Sequence, residues 1–562
     1  MIEHIPPAII LILGALLIPL FRGPLKAGYM LLLPVLSLWH LWSIPPGEYW
    51  QLTLFDYSLT MLRIDRLSMV FGTIFHIAAF INVIYALHVK DDTQHVAGLI
   101  YVGSAIGAVF AGDLISLFVY WELSAISSVF LIWCRRTEQA YSAGMRYLII
   151  QVGSGVLLLA GALLYWHETG SIAFNYLGLN GLGNTLIFLA FGIKCAFPLL
   201  HNWLEDAYPE ATVTGTVFLS AFTTKLAVYA LARGFPGTEI LIPIGALMAA
   251  FPIFFAVIEN DLRRVLAYSL NNQLGFMVVG VGIGTELSLN GTAAHAFSHI
   301  LYKALLFMSM GAVLHRTGKI NGSELGGLYK SMPFTMVCCV IGAASISAFP
   351  LFSGFISKSL VLTATANGHY TITWLVLLFA SAGVFHHSGI KIPFFAFFGH
   401  DSGIRCKEAP LNMCIAMGLA AAMCIFIGVF PQPLYDILPY AVDYKPYTTP
   451  HVMTQLQLLI WSALAFTFLK RTGIYPPELR SVNLDTDWFY RRLLPGFVSA
   501  VVRVGTPIQD RFFSGSKALV ISLIGVVRSL HSSQGILGRT WLTSSSVLVV
   551  TIFLAVYLLF NF

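Results

Sequence analysis

The feature that most constrains this chain is the recurrence of apolar stretches near 20 residues long. That is the length needed to cross about 30 Å of hydrocarbon at 1.5 Å per helical residue. About sixteen are legible, beginning near residues 5, 27, 65, 96, 115, 145, 184, 211, 239, 264, 290, 333, 371, 410, 452 and 545. Charged residues make up only 10% of the chain and hydrophobic ones 57%, against about 25% charged in an ordinary soluble domain. The bilayer is therefore its solvent, and no stretch remains for a soluble catalytic domain. Backbone groups in lipid need partners within their own segment, so the spans are read as helices and the chain as an all-α polytopic membrane protein.

The first span, residues 5–21, lacks a basic leader and is followed by Arg22, so it reads as retained and not as a cleaved signal. The seven cysteines include no C-x-x-C pair and fall mostly inside helices, which points to no iron–sulfur cluster, zinc site or disulfide framework. The net charge of +6 is spread through the loops and does not mark a nucleic-acid partner. Odd-numbered loops hold Arg22, Lys26, Lys90, Arg135, Arg136, Arg263, Arg264, Arg316, Lys319, Lys330, Arg405 and Lys407; even ones hold Arg63, Arg66, Arg233 and Lys445. The positive-inside rule then places odd loops in the cytoplasm and both termini on the other side, as an even span number requires. The expected location is the cell inner (plasma) membrane.

Between the last two spans, residues 470–542 carry ten Lys or Arg residues among apolar clusters. The reading is an amphipathic helix along the cytoplasmic face, broken at Pro495 and Pro507; a strut against a neighbouring subunit is the alternative. Two spans look interrupted at matching places. Pro198 lies within F-G-I-K-C-A-F-P-L-L-H, and Pro350 and Gly354 lie within S-A-F-P-L-F-S-G-F-I-S-K. Proline removes a backbone bond, and freed groups at membrane depth persist only inside protein or beside water, so paired breaks point to a transport site. Ordinary kinks are the competing explanation; a lysine near each break, Lys194 and Lys358, favours the first.

Lys194, Lys225, Lys303, Lys358 and Lys391 are the cations inside spans and away from their ends, and all five are lysine although arginine is commoner here. Burial lowers the proton affinity of a lysine enough for it to release its proton, whereas arginine stays charged. Such groups cost several kcal/mol in a membrane and are functional candidates by default. Snorkelling to an interface competes for Lys391 and in part for Lys358. Glu122 is a carboxylate deep in an apolar span, and Lys194 is its expected ion-pair partner. His295, His299 and Lys303 stand at i, i+4 and i+8 on one helical face, a candidate proton relay. No carboxylate or cysteine completes a metal site there. His201 follows the first break and Asp113 lies near a helix end, both as entry or supporting groups; His386 and His387 precede Lys391. Phosphate-binding, dinucleotide-binding, kinase and hydrolase signatures are absent, so no cofactor is expected and energy must come from an ion gradient or a partner.

The segments A-G-D-L-I-S-L-F-V-Y-W-E-L-S-A, F-G-I-K-C-A-F-P-L-L-H-N-W-L-E-D-A, D-L-R-R-V-L-A-Y-S-L-N-N-Q-L-G-F-M and H-A-F-S-H-I-L-Y-K-A-L-L-F-M resemble the antiporter-like subunits of respiratory complex I, membrane-bound hydrogenases and Mrp-type cation/proton antiporters. The resemblance covers about residues 60–430. It implies a core of fourteen helices with two inverted five-helix repeats, each containing a broken helix. It divides the chain into N-terminal helices (1–95), a first repeat (96–235), a second repeat (236–430) and a C-terminal extension (431–562). It also implies proton transfer by Glu122, Lys194, Lys225, His295, His299, Lys303, Lys358 and Lys391, and the other subunits of a membrane complex as partners, with protons and sodium as cargo. Lys358, and the sequence around Lys391, look most like the D-type component of Mrp antiporters; the C-terminal spans look like the longer L-type subunits, and Glu205 stands where the family usually has proline. Rival expectations are a proton-pumping subunit of a redox complex, or a membrane partner in inorganic-carbon uptake, and neighbouring genes distinguish the three.

Overall fold

A helix begins close to each expected start. The computed structural model describes residues 4–55, 57–475, 478–479 and 483–561; Arg480 of the basic stretch lies outside them. In order these are α1 (Pro7–Leu16), α2 (Gly23–Ser43), α3 (Arg66–Ala86), α4 (Asp92–Phe110), α5 (Leu114–Trp133), α6 (Glu138–Thr169), α7 (Gly181–Lys194), α8 (Asn202–Ala207), α9 (Val213–Ala221), α10 (Thr223–Gly234) and α11 (Leu241–Ile258). There follow α12 (Leu262–Ile283), α13 (Glu286–Thr317), α14 (Pro333–Ile346), α15 (Ser353–Asn367), α16 (Thr371–Val384), α17 (Leu411–Val429), α18 (Gln432–Asp436), α19 (Thr449–Arg471), α20 (Leu494–Leu530) and α21 (Thr543–Asn561). Among the described residues, twelve helices are long and apolar enough to cross a membrane, and α1, α7 and α14 are shorter apolar helices.

The helix starts follow local chemistry. Asp65 accepts from the Ser68 backbone N–H in a capping box, and Asp113, Thr137, Thr212, Asp261 and Thr285 each accept from backbone N–H groups in the first turn. Each cap satisfies donors that would otherwise be orphaned at a helix end.

Two expectations are corrected here. The fold is not purely helical, because Gly47–Leu54 (β1) and Tyr57–Ile64 (β2) form an antiparallel hairpin in which Gly47 faces Ile64 and Leu54 faces Tyr57. β2 buries Leu59, Leu62 and Ile64, and Thr60 binds both Gly112 and Asp113, which fastens the hairpin to the start of α5. The first span is also shorter than expected, since α1 ends at Leu16 and a 3-10 turn over Ile18–Leu20 follows Leu17.

The chain divides into two units, Met1–Asn483 and Leu484–Phe562. Within the first, α13 is central: its most apolar window is 94% buried, against 17% for α19. The most apolar window of Val213–Gly234, beside it, is wholly buried. In the second unit a π-helical turn (Phe489–Leu493) leads into α20, which runs 37 residues without a break. This corrects the expected interruptions. Pro495 occupies the first turn, where no backbone N–H is needed, and Pro507 is accommodated inside the helix. At about 63 Å, the 42 residues of Phe489–Leu530 are roughly twice the hydrocarbon thickness.

Arg263, at the start of α12, is a buried rivet. It donates to the carbonyls of Pro209 (3.0 Å), Ala211 (3.0 Å), Thr212 (3.2 Å) and Tyr208 (3.4 Å), and to the Thr216 hydroxyl. These carbonyls end α8 and begin α9, so one side chain joins the helices of the first break to α12. Removing it strands several buried acceptors. Arg263→Ala is expected to cost about 3 kcal/mol or more, measured as a lower thermal unfolding midpoint of the purified protein, with Arg263→Lys intermediate.

Candidate functional site

The two interrupted helices share a turn. Both breaks contain Ala-Phe-Pro-Leu, Ala196–Leu199 and Ala348–Leu351, and in each the Ala and Leu adopt positive φ (62° and 70°; 57° and 74°). The hydrogen bonds match as well. Phe197 N–H donates to Gly192 O (3.0 Å) and Ala196 N–H to Ile193 O (3.1 Å), while Phe349 N–H donates to Ala344 O (3.0 Å) and Ala348 N–H to Ser345 O (3.1 Å). Left-handed alanine and leucine are strained and persist only where the surroundings impose them. At the second break a Cβ on Gly354 would overlap Ser345 O, so α15 can start against the end of α14 only because this residue has none.

By this correspondence Lys194 aligns with Ile346, not with Lys358. Lys194, wholly buried, is the last residue of α7, and its ammonium donates to Trp121 O (2.6 Å) and Ser124 Oγ (3.1 Å) and sits 4.4 Å from the Trp121 ring centroid. Glu122 lies between those two acceptors on α5. Its carboxylate is half-buried and rests against Gly155 of α6, where a methyl would overlap it, and its Oε1 has no hydrogen-bond partner among the described residues. Glu122 and Lys194 lie within electrostatic reach of one another, while the hydrogen bonds of the ammonium go to Trp121 and Ser124.

Lys225 begins the row that follows. The span is interrupted at Phe222, which frees the Ser220 carbonyl at the end of α9, and the buried Lys225 ammonium donates to it at 2.5 Å. Lys225 lies within electrostatic reach of His295, His299 and Lys303. On α13 those three share the expected face and are wholly buried; the two imidazole centroids are 6.2 Å apart, and Tyr302 is 5.2 Å from His299. His295 Nδ1 bonds Ser357 Oγ (3.0 Å), while both His299 nitrogens and Lys303 Nζ have no partner among the described residues. Ser298 Oγ, beside His299 in sequence, and the Asn271 amide of α12 likewise have no hydrogen-bond partner among the described residues. Buried polar atoms without partners are rare and costly, so these make the α13 face the candidate site.

Lys358 and Lys391 do not snorkel: they are 1% and 0% exposed. Lys358 reaches back across the second break to donate to Ile346 O (2.8 Å), with the Phe276 ring 5.1 Å away. Lys391 ends a π-helical turn (Phe385–Lys391) and donates to the carbonyls that finish α11, Val257 (2.7 Å) and Glu259 (2.6 Å). His387, on the same turn, lies within electrostatic reach of Lys303, Lys358 and Lys391 and so joins the row. The other two candidates are placed differently. Asp113 caps α5, accepting from Ser116 (2.7 Å) and Thr60 (2.8 Å), and His201 is buried with its ring 4.6 Å from Phe251. Trp121, Ser124 and Ser357 are contacts of the candidate residues that sequence reasoning did not select, because the apolar-span pattern conceals them; His387, read from the sequence only as preceding Lys391, is turned inward by the π turn.

The family described as NADH:quinone oxidoreductase/Mrp antiporter, TM matches residues 111–386, a stretch that contains Glu122, Lys194, Lys225, His295, His299, Lys303 and Lys358. The chain is 28% identical over 433 residues to hydrogenase-4 component B of Escherichia coli, covering 68% of this chain and 63% of that protein. It is 30% identical over 356 residues to the D component of the Na(+)/H(+) antiporter of Alkalihalophilus pseudofirmus, covering 59% and 71%. It therefore spans just under two thirds of the first relative and somewhat more of the second. Its fold superposes on a chain of the Mrp complex from Dietzia sp. DQ12-45-1b with a TM-score of 0.79 at 22% identity, covering 93% of this chain and 62% of that one. With the interrupted helices, the buried lysines and the likeness to the sodium/proton antiporter component in agreement, the chain belongs to the NADH:quinone oxidoreductase/Mrp antiporter transmembrane family.

Proposed function

We propose that the chain is the proton-translocating, antiporter-like subunit of a multisubunit Mrp-type sodium/proton antiporter of the cell inner membrane. The observation that carries this reading is two groups of titratable side chains in the interior, whose members lie within electrostatic reach of one another: Glu122 with Lys194, and Lys225 with the α13 face, followed by Lys303, His387 and Lys358 or Lys391. A proton entering one site alters the proton affinity of its neighbours, so charge shifts can travel along the row. Unsatisfied polar atoms at Lys303, His299, Asn271 and Ser298 give the polar lining such a path needs.

In this reading sixteen spans cross the bilayer, with α7–α8, α9–α10 and α14–α15 as interrupted ones. Residues 96–235 and 236–430 form two inverted repeats between the N-terminal helices (1–95) and the C-terminal extension (431–562). The shared Ala-Phe-Pro-Leu turns support this, as do the isolated bridges Asp113–Ala173 and Asp261–Asn321 at the capped starts of α5 and α12. The loops holding Arg263, Arg264, Arg405 and Lys407 face the cytoplasm and both termini face away. α20 lies along the cytoplasmic surface, where its basic residues meet headgroups or a neighbouring subunit, each basic residue worth about 1 kcal/mol near an anionic surface.

A second reading, a proton-pumping subunit of a hydrogenase-like or complex I-like redox assembly, is favoured by the match to hydrogenase-4 component B. The test is proton movement in vesicles holding the assembled complex under an imposed sodium gradient. The antiporter reading expects prompt movement of protons against sodium with no electron donor present. Movement only on adding a donor, such as a reduced cofactor or hydrogen, supports the redox reading instead.

A further inference from the structure

The last lysine of the row does not end in helix carbonyls alone. The described residues that follow α19 pack against the end of the bundle. Tyr475 packs into an aromatic cluster, with its centroid 5.3 Å from Phe466 and 5.4 Å from His386, and Lys470 sits 5.0 Å over Phe395 and 5.4 Å over Tyr475. In this segment, called the strap below, Glu478 lies within 3.2 Å of Lys391 Nζ. Neither Glu478 oxygen has any further hydrogen-bond partner among the described residues. The Lys391 side chain is 0% exposed and that of Glu478 6%, with both carboxylate oxygens still covered, so along this branch Glu478 stands between the buried lysine and the surface of the bundle.

The groups facing Glu478 are Lys391 from the π-helical turn, Lys470 from α19, and Glu259 from the end of α11. Glu259 is itself held by the Asn483 amide (3.0 Å) at the far end of the strap. Burial raises the Glu478 carboxyl above the usual carboxylate range, and the two lysines oppose that shift. A carboxylate used only as a tether would gain from further donors, as Glu259 does; this one is bound, among the described residues, by a single cation.

We propose that Glu478 is the terminal proton-transfer group of the row, exchanging a proton between Lys391 and water at the face read above as cytoplasmic. The Lys391 ammonium passes its proton to the Glu478 carboxylate, leaving a neutral amine and a neutral acid; the acid then releases the proton to water. Inward transfer is the reverse. This rests on the proton-translocating reading of the row, which the test therefore carries as a separate arm.

In vesicles holding the complete complex, sodium-driven proton flux is measured for Glu478→Gln, Glu478→Asp and Glu122→Gln. Trypsin cleavage after Lys470 and Arg471 reports whether the strap stays seated. Glu478→Gln is expected to slow the initial flux by about tenfold or more with cleavage unchanged, while Glu478→Asp, still a titratable acid, keeps most of it. Wild-type flux in Glu478→Gln alongside lost flux in Glu122→Gln overturns the role of Glu478 and leaves the row intact. Equal loss in the Gln and Asp variants with a newly cleaved strap also overturns it, since that is the behaviour of a tether. Wild-type flux in both Glu478→Gln and Glu122→Gln removes the row and this proposal together.

Discussion

Glu122→Gln is expected to abolish ion-coupled proton transport while leaving the protein folded and assembled. The amide has nearly the shape of the carboxylate, so it fits the space that Gly155 leaves on α6, and it disturbs none of the bonds that hold Lys194 to Trp121 O and Ser124 Oγ. What it removes is the titratable charge within electrostatic reach of the ammonium. Without that charge, the proton affinity of Lys194 no longer responds to events on α5. Losing a group that takes part in proton transfer typically costs about 100-fold or more, and the loss is read as sodium-driven flux alongside an unchanged band on a native gel. Lys194→Met should behave alike. Near wild-type flux in either variant contradicts a role for the pair.

Lys303→Arg keeps a positive charge in the centre of α13 and is nevertheless expected to fail, with flux down about 100-fold. Guanidinium holds its proton at any physiological pH, so a site that must release one stops working. The surroundings sharpen the comparison. Lys303 is fully buried, its ammonium has no protein hydrogen bond among the described residues, and its charge is felt by both His299 and His387. A role limited to fixed charge would survive the substitution. A role in release would be lost as completely as in Lys303→Gln, so the two variants should match in flux.

Much of this arrangement is legible in the sequence because a bilayer leaves few options. Length and apolarity locate the helices, and a lysine is conspicuous among residues that are mostly Leu, Ile, Val and Phe. Pro198 and Pro350 mark the breaks because proline removes a backbone bond wherever it falls. What is not legible depends on rotation and register. That the Lys194 ammonium bonds Trp121 O and Ser124 Oγ, on either side of Glu122, is decided by a fraction of a helical turn of α5, which side-chain spacing does not specify. His387 joins the row because a π turn inserts an extra residue per turn and re-aims it. The hairpin between α2 and α3 is concealed in a loop, since its alternation is short and only β2 buries an apolar set. Glu478 escapes attention because it lies in a polar stretch beyond the last core span, and its approach to Lys391 is a tertiary contact that spacing does not specify. Pro507 illustrates the opposite error: a reliable breaker by propensity is carried within one long helix.

The central claim is that protons move by titration of the buried lysines, and the most direct test is the initial rate of sodium-driven proton flux in vesicles containing the assembled complex with Lys303→Arg. Flux at the leak of protein-free vesicles, from a complex that migrates intact on a native gel, is the predicted result; flux at the wild-type rate would contradict the account.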